Sequence, residues 1–501
     1  MSEPIASGAA AAPDGAAAQA VVTPPPLAPP PATPPATPLA APSAAAPDAW
    51  PRWQRVGFRY VALYYLLYAF PGAFGSLLGT VTGGLAKLDV DVSGAPWTWA
   101  MQGLGKLDSW WDRLTTWMGA VGVAPYEVIH QPTGSGDTGS AFARLLFIGV
   151  VAAAGTLGWS LLSKARGYPR LGRWLHLLVR FDLAFTLFGY GFAKFYGGQF
   201  GELSLMRLTQ EIGDTWPMTM VGTFMQASKP YELFGGACEV LGGLLLFHRR
   251  TALLGACVSI VTMTNVCAIN WLQGVPVKLY STHLLLYGVF LLAPFREPLI
   301  DVFLRNRSSS PVDLRVVRGR FAGALLLLFG VAWVGASVTL THLRGREPKS
   351  WMQGREKSEL YGLWTVETML RDGVEVPLGD ATRWREFAID RGTLAWTRDL
   401  SGTRRFLDFS WKPASGGAQV KERGKEGDGV PWTVEPGVAT VKGDAPHLLR
   451  NEERGKQVDV ERRTLRLKGQ WDGHELELRT VEKKFRLQTG FRLRQELPDF
   501  W

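Results

Sequence analysis

The stretch YELFGGACEVLGGLLLFH, residues 231–248, decides how this chain must be read. It is largely apolar, and its length approaches the roughly 20 residues that a helix needs to cross the hydrocarbon core of a bilayer. Glu232 and Glu239 are seven residues apart and therefore share one face of that helix. Gly242 and Gly243 lie on the same side as Glu239 and would let another helix approach closely. The pattern predicts a membrane helix whose polar face points inward.

Further apolar stretches lie on both sides of this one. The predicted spans are the seven stretches 57–79, 142–163, 174–196, 231–248, 251–272, 279–296 and 320–341. The fourth and sixth are short, so six or eight spans stay open as alternatives. The sequence therefore predicts a membrane all-α helical bundle over residues 51–341.

Basic residues in every second loop orient these spans, because Lys and Arg near membrane ends stay preferentially in the cytoplasm. They are Arg52, Arg55 and Arg59 before the first span, Lys164, Arg166, Arg170 and Arg173 after the second, Arg249 and Arg250 after the fourth, and Arg305, Arg307, Arg315 and Arg318 after the sixth. This regularity places the N-terminus in the cytoplasm and the region after the last span outside.

The two ends of the chain differ from the spans in composition. Residues 1–50 consist mainly of Ala, Pro, Ser and Thr, which predicts a disordered cytoplasmic tail. Residues 342–501 are rich in charged side chains, and from Glu359 they form short alternating segments. Asp-Gly pairs at 372–373 and 472–473 are hairpin signals. We expect an extracytoplasmic antiparallel all-β domain of about eight strands, either a barrel or a sandwich.

The opening segment of this β domain contains Gly362-Leu363-Trp364. It resembles the G-x-W of lipocalin-like barrels, in which the Trp closes one barrel end against a late Arg. Arg492 or Arg494 would then be that arginine. In a sandwich, Trp364 would instead be an ordinary core residue.

Charge and cysteine content narrow the function classes. The net charge is +10, but the basic residues lie in short loops or alternate with acidic ones, so we discount nucleic acid as a partner. The three cysteines, Cys238, Cys257 and Cys267, form no CxxC pair. The sequence holds no haem-attachment motif and no dinucleotide fingerprint, and we predict no metal site.

Polar side chains inside the predicted spans are the candidate site. An ionisable group near the bilayer centre costs on the order of 2.5–3.5 kcal/mol, so such groups are usually paired or functional. With the predicted orientation, a polar pocket in the outer half of the bundle is one interpretation. The alternative is structural, with Glu239 paired to Arg180 or Lys194 and the amides and histidine bonding between helices. The candidates are Arg180, Lys194, Glu232, Glu239, Asn265, Asn270 and His283.

Three of these positions carry a family resemblance. Arg180, the Gly-x-x-Lys that ends at Lys194, and the Glu-x-x-Gly-Gly that begins at Glu239 resemble the DoxX family of bacterial membrane proteins. Those proteins are four-helix bundles, so residues 175–300 would be the DoxX-like unit. The resemblance implies an inner-membrane component of a redox or quinone-linked system with membrane redox partners. It also implies an apolar, quinone-like ligand held by Lys194, Glu239 and His283.

The outer loop before this unit contains TGSGDT at 133–138, and PVKL follows at 276–279. Both segments resemble a bacterial DoxX-like subgroup with extra helices and a β tail. Ser135 and Asp137, with the neighbouring glycines, would suit an anion cradle. Capping of the second span by Asp137 or Thr138 is the alternative.

Two further interpretations concern what the bundle does. An intramembrane Gly-x-x-Lys followed by an outer β domain is also similar to vitamin K-dependent carboxylase-like proteins, which implies Lys194 as a catalytic base toward a quinol. The competing hypothesis is a scaffold or assembly protein that anchors the β domain and has no catalysis. Transport is disfavoured because inverted repeats and broken spans are not evident.

Overall fold

The computed structural model describes residues 50–70, 79, 82, 95–122, 134–196, 198–316, 319–345, 356–444 and 457–485. The predicted disordered tail, apart from Trp50, lies outside these residues, as do Arg492 and Arg494.

Helices make up the part of the described chain that precedes the β domain. They are α1 (Arg52–Ala69), α2 (Ala95–Ala120), α3 (Gly139–Leu162), α4 (Pro169–Phe195), α5 (Leu205–Leu208), α6 (Pro217–Ala227), α7 (Lys229–Phe247), α8 (Ala252–Leu272), α9 (Lys278–Leu292), α10 (Arg296–Phe303) and α11 (Arg320–Gly345). Single 3-10 turns lie at Ile212–Asp214 and Ala293–Phe295. Each predicted span overlaps one of these helices, but α1 ends at Ala69, ten residues before the predicted end of the first span.

The helix ends follow from local sequence. Thr138 caps α3, its hydroxyl accepting a hydrogen bond from the Ala141 amide at 3.3 Å. A proline in the first turn starts α4 and α7, where the missing amide proton costs nothing. Among the described helices, four are long and apolar enough to cross a membrane, namely α3, α4, α7 and α8. The count of seven spans is not confirmed.

Four consecutive long helices form a closed unit within the bundle. Helix α4 packs on α7, α7 on α8, α8 on α9, and α9 returns to α4. Leu183, Leu187, Leu246, Ala256 and Leu291 are buried in the core between them. Outside this unit, α1 and α2 pack on α3, and α11 packs on α4.

The β domain is a barrel, which is one of the two predicted alternatives. Its strands are β1 (Gly362–Arg371), β2 (Val374–Glu375), β3 (Trp384–Ile389), β4 (Leu394–Asp399), β5 (Arg404–Lys412), β6 (Gly417–Glu422), β7 (Val430–Asp444), β8 (Gln457–Trp471) and β9 (His474–Lys483). All described pairings are antiparallel between neighbours, and β1 also pairs with β9. Because β2 pairs only with β1, eight of the nine strands close the barrel.

Both predicted Asp-Gly hairpins are confirmed. Asp372 and Gly373 have φ of 51° and 76°, and Asp472 and Gly473 have φ of 50° and 84°. Two successive residues at positive φ form the tight turn that matches the twist of antiparallel strands. The first turn joins β1 to β2, and the second joins β8 to β9.

Buried apolar side chains from all eight barrel strands fill the interior as one cluster. Trp364 belongs to this cluster, and its indole donates a hydrogen bond to the Leu360 carbonyl at 3.2 Å. The guanidinium of Arg463 lies 5.2 Å from the Trp364 ring and donates to the Tyr361 carbonyl at 2.9 Å. An arginine therefore covers the tryptophan, as the G-x-W resemblance implies, but it comes from β8.

Candidate functional site

An ion pair between Lys194 and Glu239 lies at the contact of α4 and α7. The ammonium donates to both carboxylate oxygens, at 2.8 and 2.7 Å. The two residues are 6% and 3% exposed, so neither charge is solvated by bulk water. The partner of Glu239 is thus Lys194, one of the two partners considered from sequence. Each charge satisfies the other, as a structural pair would.

Glycines bring the two helices close enough for this pair to form. A Cβ on Gly191 would lie 2.6 Å from Val240 Cγ2 and 2.8 Å from the Gly236 carbonyl oxygen. About two turns further along both helices, a Cβ on Gly243 would lie 3.0 Å from the Ala184 carbonyl oxygen. Small residues at a helix contact allow this close approach. Gly191 belongs to the Gly-x-x-Lys motif, so the motif supplies both the contact and the charge.

A second acidic group, Glu232, lies about two turns before Glu239, near the start of α7. Glu232 is fully buried, and one of its carboxylate oxygens accepts a hydrogen bond from Lys229 Nζ at 2.7 Å. The same ammonium donates to the Lys194 carbonyl at 3.1 Å, which links the two pairs. Oε1 of Glu232 has no hydrogen-bond partner among the described residues.

His283 lies in a separate aromatic group. Its ring stacks on Tyr68 at 3.8 Å between centroids, and its Nε2 is 2.8 Å from the Tyr64 hydroxyl. Its other ring nitrogen lies 2.6 Å from the Leu279 carbonyl oxygen. Both ring nitrogens are therefore engaged within the protein. The tyrosines come from α1, which lies outside the predicted four-helix unit.

Asp182 is a charged residue of this region that the sequence reasoning passed over. Its carboxylate accepts a hydrogen bond from the Tyr65 hydroxyl at 3.1 Å. The signal was available, since an aspartate inside an apolar span needs a partner and the tyrosines of α1 recur at helical spacing.

The structure does not gather all seven span candidates into one pocket. Asn270 is buried, but Asn265 is exposed on the outer side of α8, so these two amides point to different surroundings. Arg180 is buried on α4 toward the opposite end from Lys194, and its ring neighbour is Phe181 at 5.6 Å. Arg180 is therefore not part of the pairs around Glu239.

The outer-loop candidates fix one loop to another. The Asp137 carboxylate accepts hydrogen bonds from the amides of Lys278 and Leu279, at 2.8 and 3.0 Å, at the start of α9. The Gly136 amide donates to the Pro276 carbonyl at 2.8 Å. Ser135 Oγ accepts a hydrogen bond from the Asp137 amide at 3.1 Å. Asp137 thus caps α9, not α3, and the TGSGDT and PVKL segments contact each other. The anion cradle stays a prediction.

The segment Glu202–Thr209, which we call the docking segment, lies on the outer face of the barrel. Leu205 is 1% exposed and packs against Leu363, Ala388 and Trp396 from three neighbouring strands. These three side chains face each other in the register of β1, β3 and β4 and point away from the interior cluster. A four-residue helix, α5, in the loop between α4 and α7 therefore packs on the outer face of the barrel.

Polar contacts surround this apolar contact. Arg398 and Arg404 both donate to the Thr209 carbonyl, at 3.2 and 3.3 Å. Glu202 accepts hydrogen bonds from Lys357, at 3.0 Å, and from Arg391. Burial alone would raise the pKa of Glu202, but these two cations outweigh it and lower the pKa below that of an ordinary glutamate. At neutral pH the carboxylate is charged and paired.

The fold and the site define a class of protein, a helical bundle with membrane-length apolar helices and a docked antiparallel barrel. None of the known family models matches the chain, and no solved structure matches it. The chain is 36% identical over 141 residues to the uncharacterized protein YwoB of Bacillus subtilis (strain 168). The aligned residues make up 28% of this chain and 87% of that protein. The chain belongs to the family of YwoB.

Proposed function

We propose that this chain is a membrane-anchored scaffold protein, whose bundle positions the barrel at the outer face of a bacterial inner membrane for assembly with other proteins. The observation that carries the proposal is the docking segment. The barrel interior is filled, and the docking segment binds the outer face, so the orientation of the barrel relative to the bundle is fixed. A surface that other proteins bind requires such a fixed orientation. The candidate polar residues support the same function, because Lys194, Glu239 and His283 are all engaged within the protein.

The proposal includes a DoxX-like unit and seven spans. The closed packing of α4, α7, α8 and α9 supports a four-helix unit over residues 175–300. Helices α1, α9 and α11 would complete seven spans, with the N-terminus in the cytoplasm and the barrel outside. Support for this orientation comes from the basic residues that gather at the ends of α3 and α7.

A matched pair of substitutions in the loop between α4 and α7 tests the scaffold function. Leu205→Asp places a charge in the buried contact with the barrel, whereas Ile212 is 77% exposed, so Ile212→Asp serves as the control. We expect the wild-type chain to migrate in native membrane extracts as a larger complex, which Leu205→Asp breaks and Ile212→Asp preserves. A complex of the same size in both variants, or a monomer in the wild type, contradicts the proposal.

The second candidate function is binding of a quinone-like ligand in a membrane redox system. It is favoured by the free Oε1 of fully buried Glu232, which is linked through Lys229 to Lys194. A quinol hydroxyl would donate to such an oxygen. Lys194 would then be the catalytic base only after leaving Glu239.

Extraction of bound quinone from the purified protein tests this second function. If a quinone occupies the group, we expect a stoichiometric amount that Glu232→Gln reduces and that Glu211→Gln, a control in the exposed loop, preserves. A wild-type protein that holds no quinone beyond the level in detergent micelles removes the second function and leaves the scaffold proposal intact.

A further inference from the structure

Arg180 is a buried cation for which the described residues supply no counter-ion. The residue is 6% exposed, and its Nε has no hydrogen-bond partner among the described residues. Its aromatic neighbour is Phe181, whose ring centroid lies 5.6 Å from the guanidinium carbon. An unpaired charge inside a protein carries the full cost of its lost hydration, so buried guanidinium groups are normally paired with an anion.

Among the described residues, the charged group that interacts with Arg180 is also positive. Arg249, which follows α7, interacts with it electrostatically. His176, one turn away on α4, has its Nε2 3.2 Å from the Leu291 carbonyl oxygen and offers no negative charge. Within the described part of the bundle, the surroundings therefore increase the positive potential at Arg180.

The position of Arg180 places this potential near one end of the bundle. Helices α4 and α7 are antiparallel, and Gly243 contacts Ala184, so Arg180 lies one turn nearer to the end at which α7 stops. Phe247, the last residue of α7, packs on Phe181 at 5.3 Å between ring centroids. Arg249 and Arg250 follow at this end, and Arg170 and Arg173 lie at the start of α4.

We infer that Arg180, with Arg249, forms an anion site that takes a phosphate group at this basic end of the bundle. The guanidinium fork matches two phosphate oxygens, and a pair of arginines suits one phosphate. Basic pockets between membrane helices bind the head groups of anionic lipids in this way. The phosphate belongs to an anionic phospholipid or is free in solution. The site is separate from the Glu239 pairs and does not depend on either proposed function.

Binding to the purified full-length chain in a neutral detergent tests the inference. The probes are phosphatidylglycerol, diacylglycerol of the same acyl chains, which lacks the phosphate, and inorganic phosphate. Affinity is measured by thermal-shift titration and by native mass spectrometry. We expect Arg180→Gln to weaken phosphate-dependent binding about ten- to a hundredfold, since it removes a charged hydrogen bond. Arg113→Gln, an exposed change on α2 away from this end of the bundle, is the control and should bind as the wild type does.

The outcomes distinguish the sources of the phosphate. Saturation by inorganic phosphate alone assigns the site to a free anion, whereas binding of phosphatidylglycerol alone assigns it to a lipid. If Arg180→Gln does not fold, Arg180→Lys and Arg249→Gln replace it, and both should bind more weakly than the wild type. Equal binding of phosphatidylglycerol and diacylglycerol, or binding unchanged in these variants, overturns the inference.

Discussion

The bundle and the barrel differ in where their ion pairs lie, buried in the bundle and exposed on the barrel. In the bundle, Lys194 and Glu239 are almost completely buried, and each neutralises the other. In the barrel, pairs such as Arg405 with Asp472, at 2.6 Å, are about half exposed. The barrel interior is instead an apolar cluster. Charges on the barrel surface are solvated whether paired or not, whereas those in the bundle depend on their partners.

One ion pair of the barrel is buried, unlike the exposed pair described above. Glu386 is buried and pairs with Arg398 at 2.8 Å. Arg398 also donates to Thr209 of the docking segment. This buried ion pair lies on the outer barrel face that the docking segment covers. The comparison therefore predicts large effects for changes in buried contacts and small ones for changes in exposed pairs.

The largest expected effect comes from breaking the buried pair. Lys194→Met leaves Glu239 uncompensated and should lower the free energy of unfolding by on the order of 3–5 kcal/mol. Thermal unfolding in detergent measures it. The double variant Lys194→Met with Glu239→Met should recover most of the loss, because both charges are gone. A double variant as unstable as the single one would contradict a purely structural pair.

Removal of the apolar contact between the two regions comes second. Leu205→Ala should cost about 2–5 kcal/mol, as expected for a buried leucine. We expect faster hydrogen exchange in the docking segment and in β1, β3 and β4, with β7 and β8 unchanged. Exchange that rises equally over the whole barrel would instead show that Leu205 supports the barrel fold itself.

Overpacking at the helix contact comes third. Gly191→Ala forces a methyl group against Val240 and the Gly236 carbonyl, and it should lower stability by about 1–3 kcal/mol. Gly189→Ala is the matched control, because a Cβ there meets nothing within 4 Å. Equal melting temperatures of the two variants would show that α4 and α7 are not in close contact.

The smallest effect is expected at the exposed ion pairs of the docking segment. The pKa of Glu202 is lower in the folded protein than in the unfolded chain, so its contribution is present at neutral pH and is lost as pH falls through the folded value. Since the side chain is more than half exposed, Glu202→Gln should cost no more than about 1 kcal/mol.

Asp390 contributes to the pH dependence of folding stability with the opposite sign to Glu202. Burial raises the pKa of Asp390 against the lowering effect of the Arg391 amide and charge. Its protonation therefore stabilises the fold as pH falls. The pH dependence assigned to Glu202 is the difference between the wild-type and Glu202→Gln profiles below about pH 5. Identical acid profiles would show that the carboxylate contributes nothing.

The sequence predicted the features that depend on local pattern. The helices at the spans, the Asp-Gly turns and most long strands follow from periodicity and turn chemistry. Strand β3 lacks the alternation of a half-buried strand, since one face fills the barrel and the other is covered by Leu205. The cover comes from a segment far away in the chain, which no local pattern encodes.

The candidate site was predicted in part for the same reason. Helical spacing placed Lys194 and Glu239 on inward faces, so their pairing was among the expected alternatives. The contacts of His283 with Tyr64 and Tyr68 depend on where α1 packs, and spacing within one helix does not determine this. Asp137 was considered as a cap for the helix next to it, but it caps α9 more than a hundred residues later.

Labelling of single cysteines in intact cells tests the central claim, that a membrane separates the basic end of the bundle from the barrel. The background is a variant with Cys238→Ala, Cys257→Ala and Cys267→Ala, to which Asp428→Cys or Lys164→Cys is added, both at exposed positions. With the outer envelope made permeable, we predict that a membrane-impermeant maleimide labels the Asp428→Cys variant at once and the Lys164→Cys variant only after the inner membrane is broken. Equal labelling of both, or the reverse order, would contradict the account.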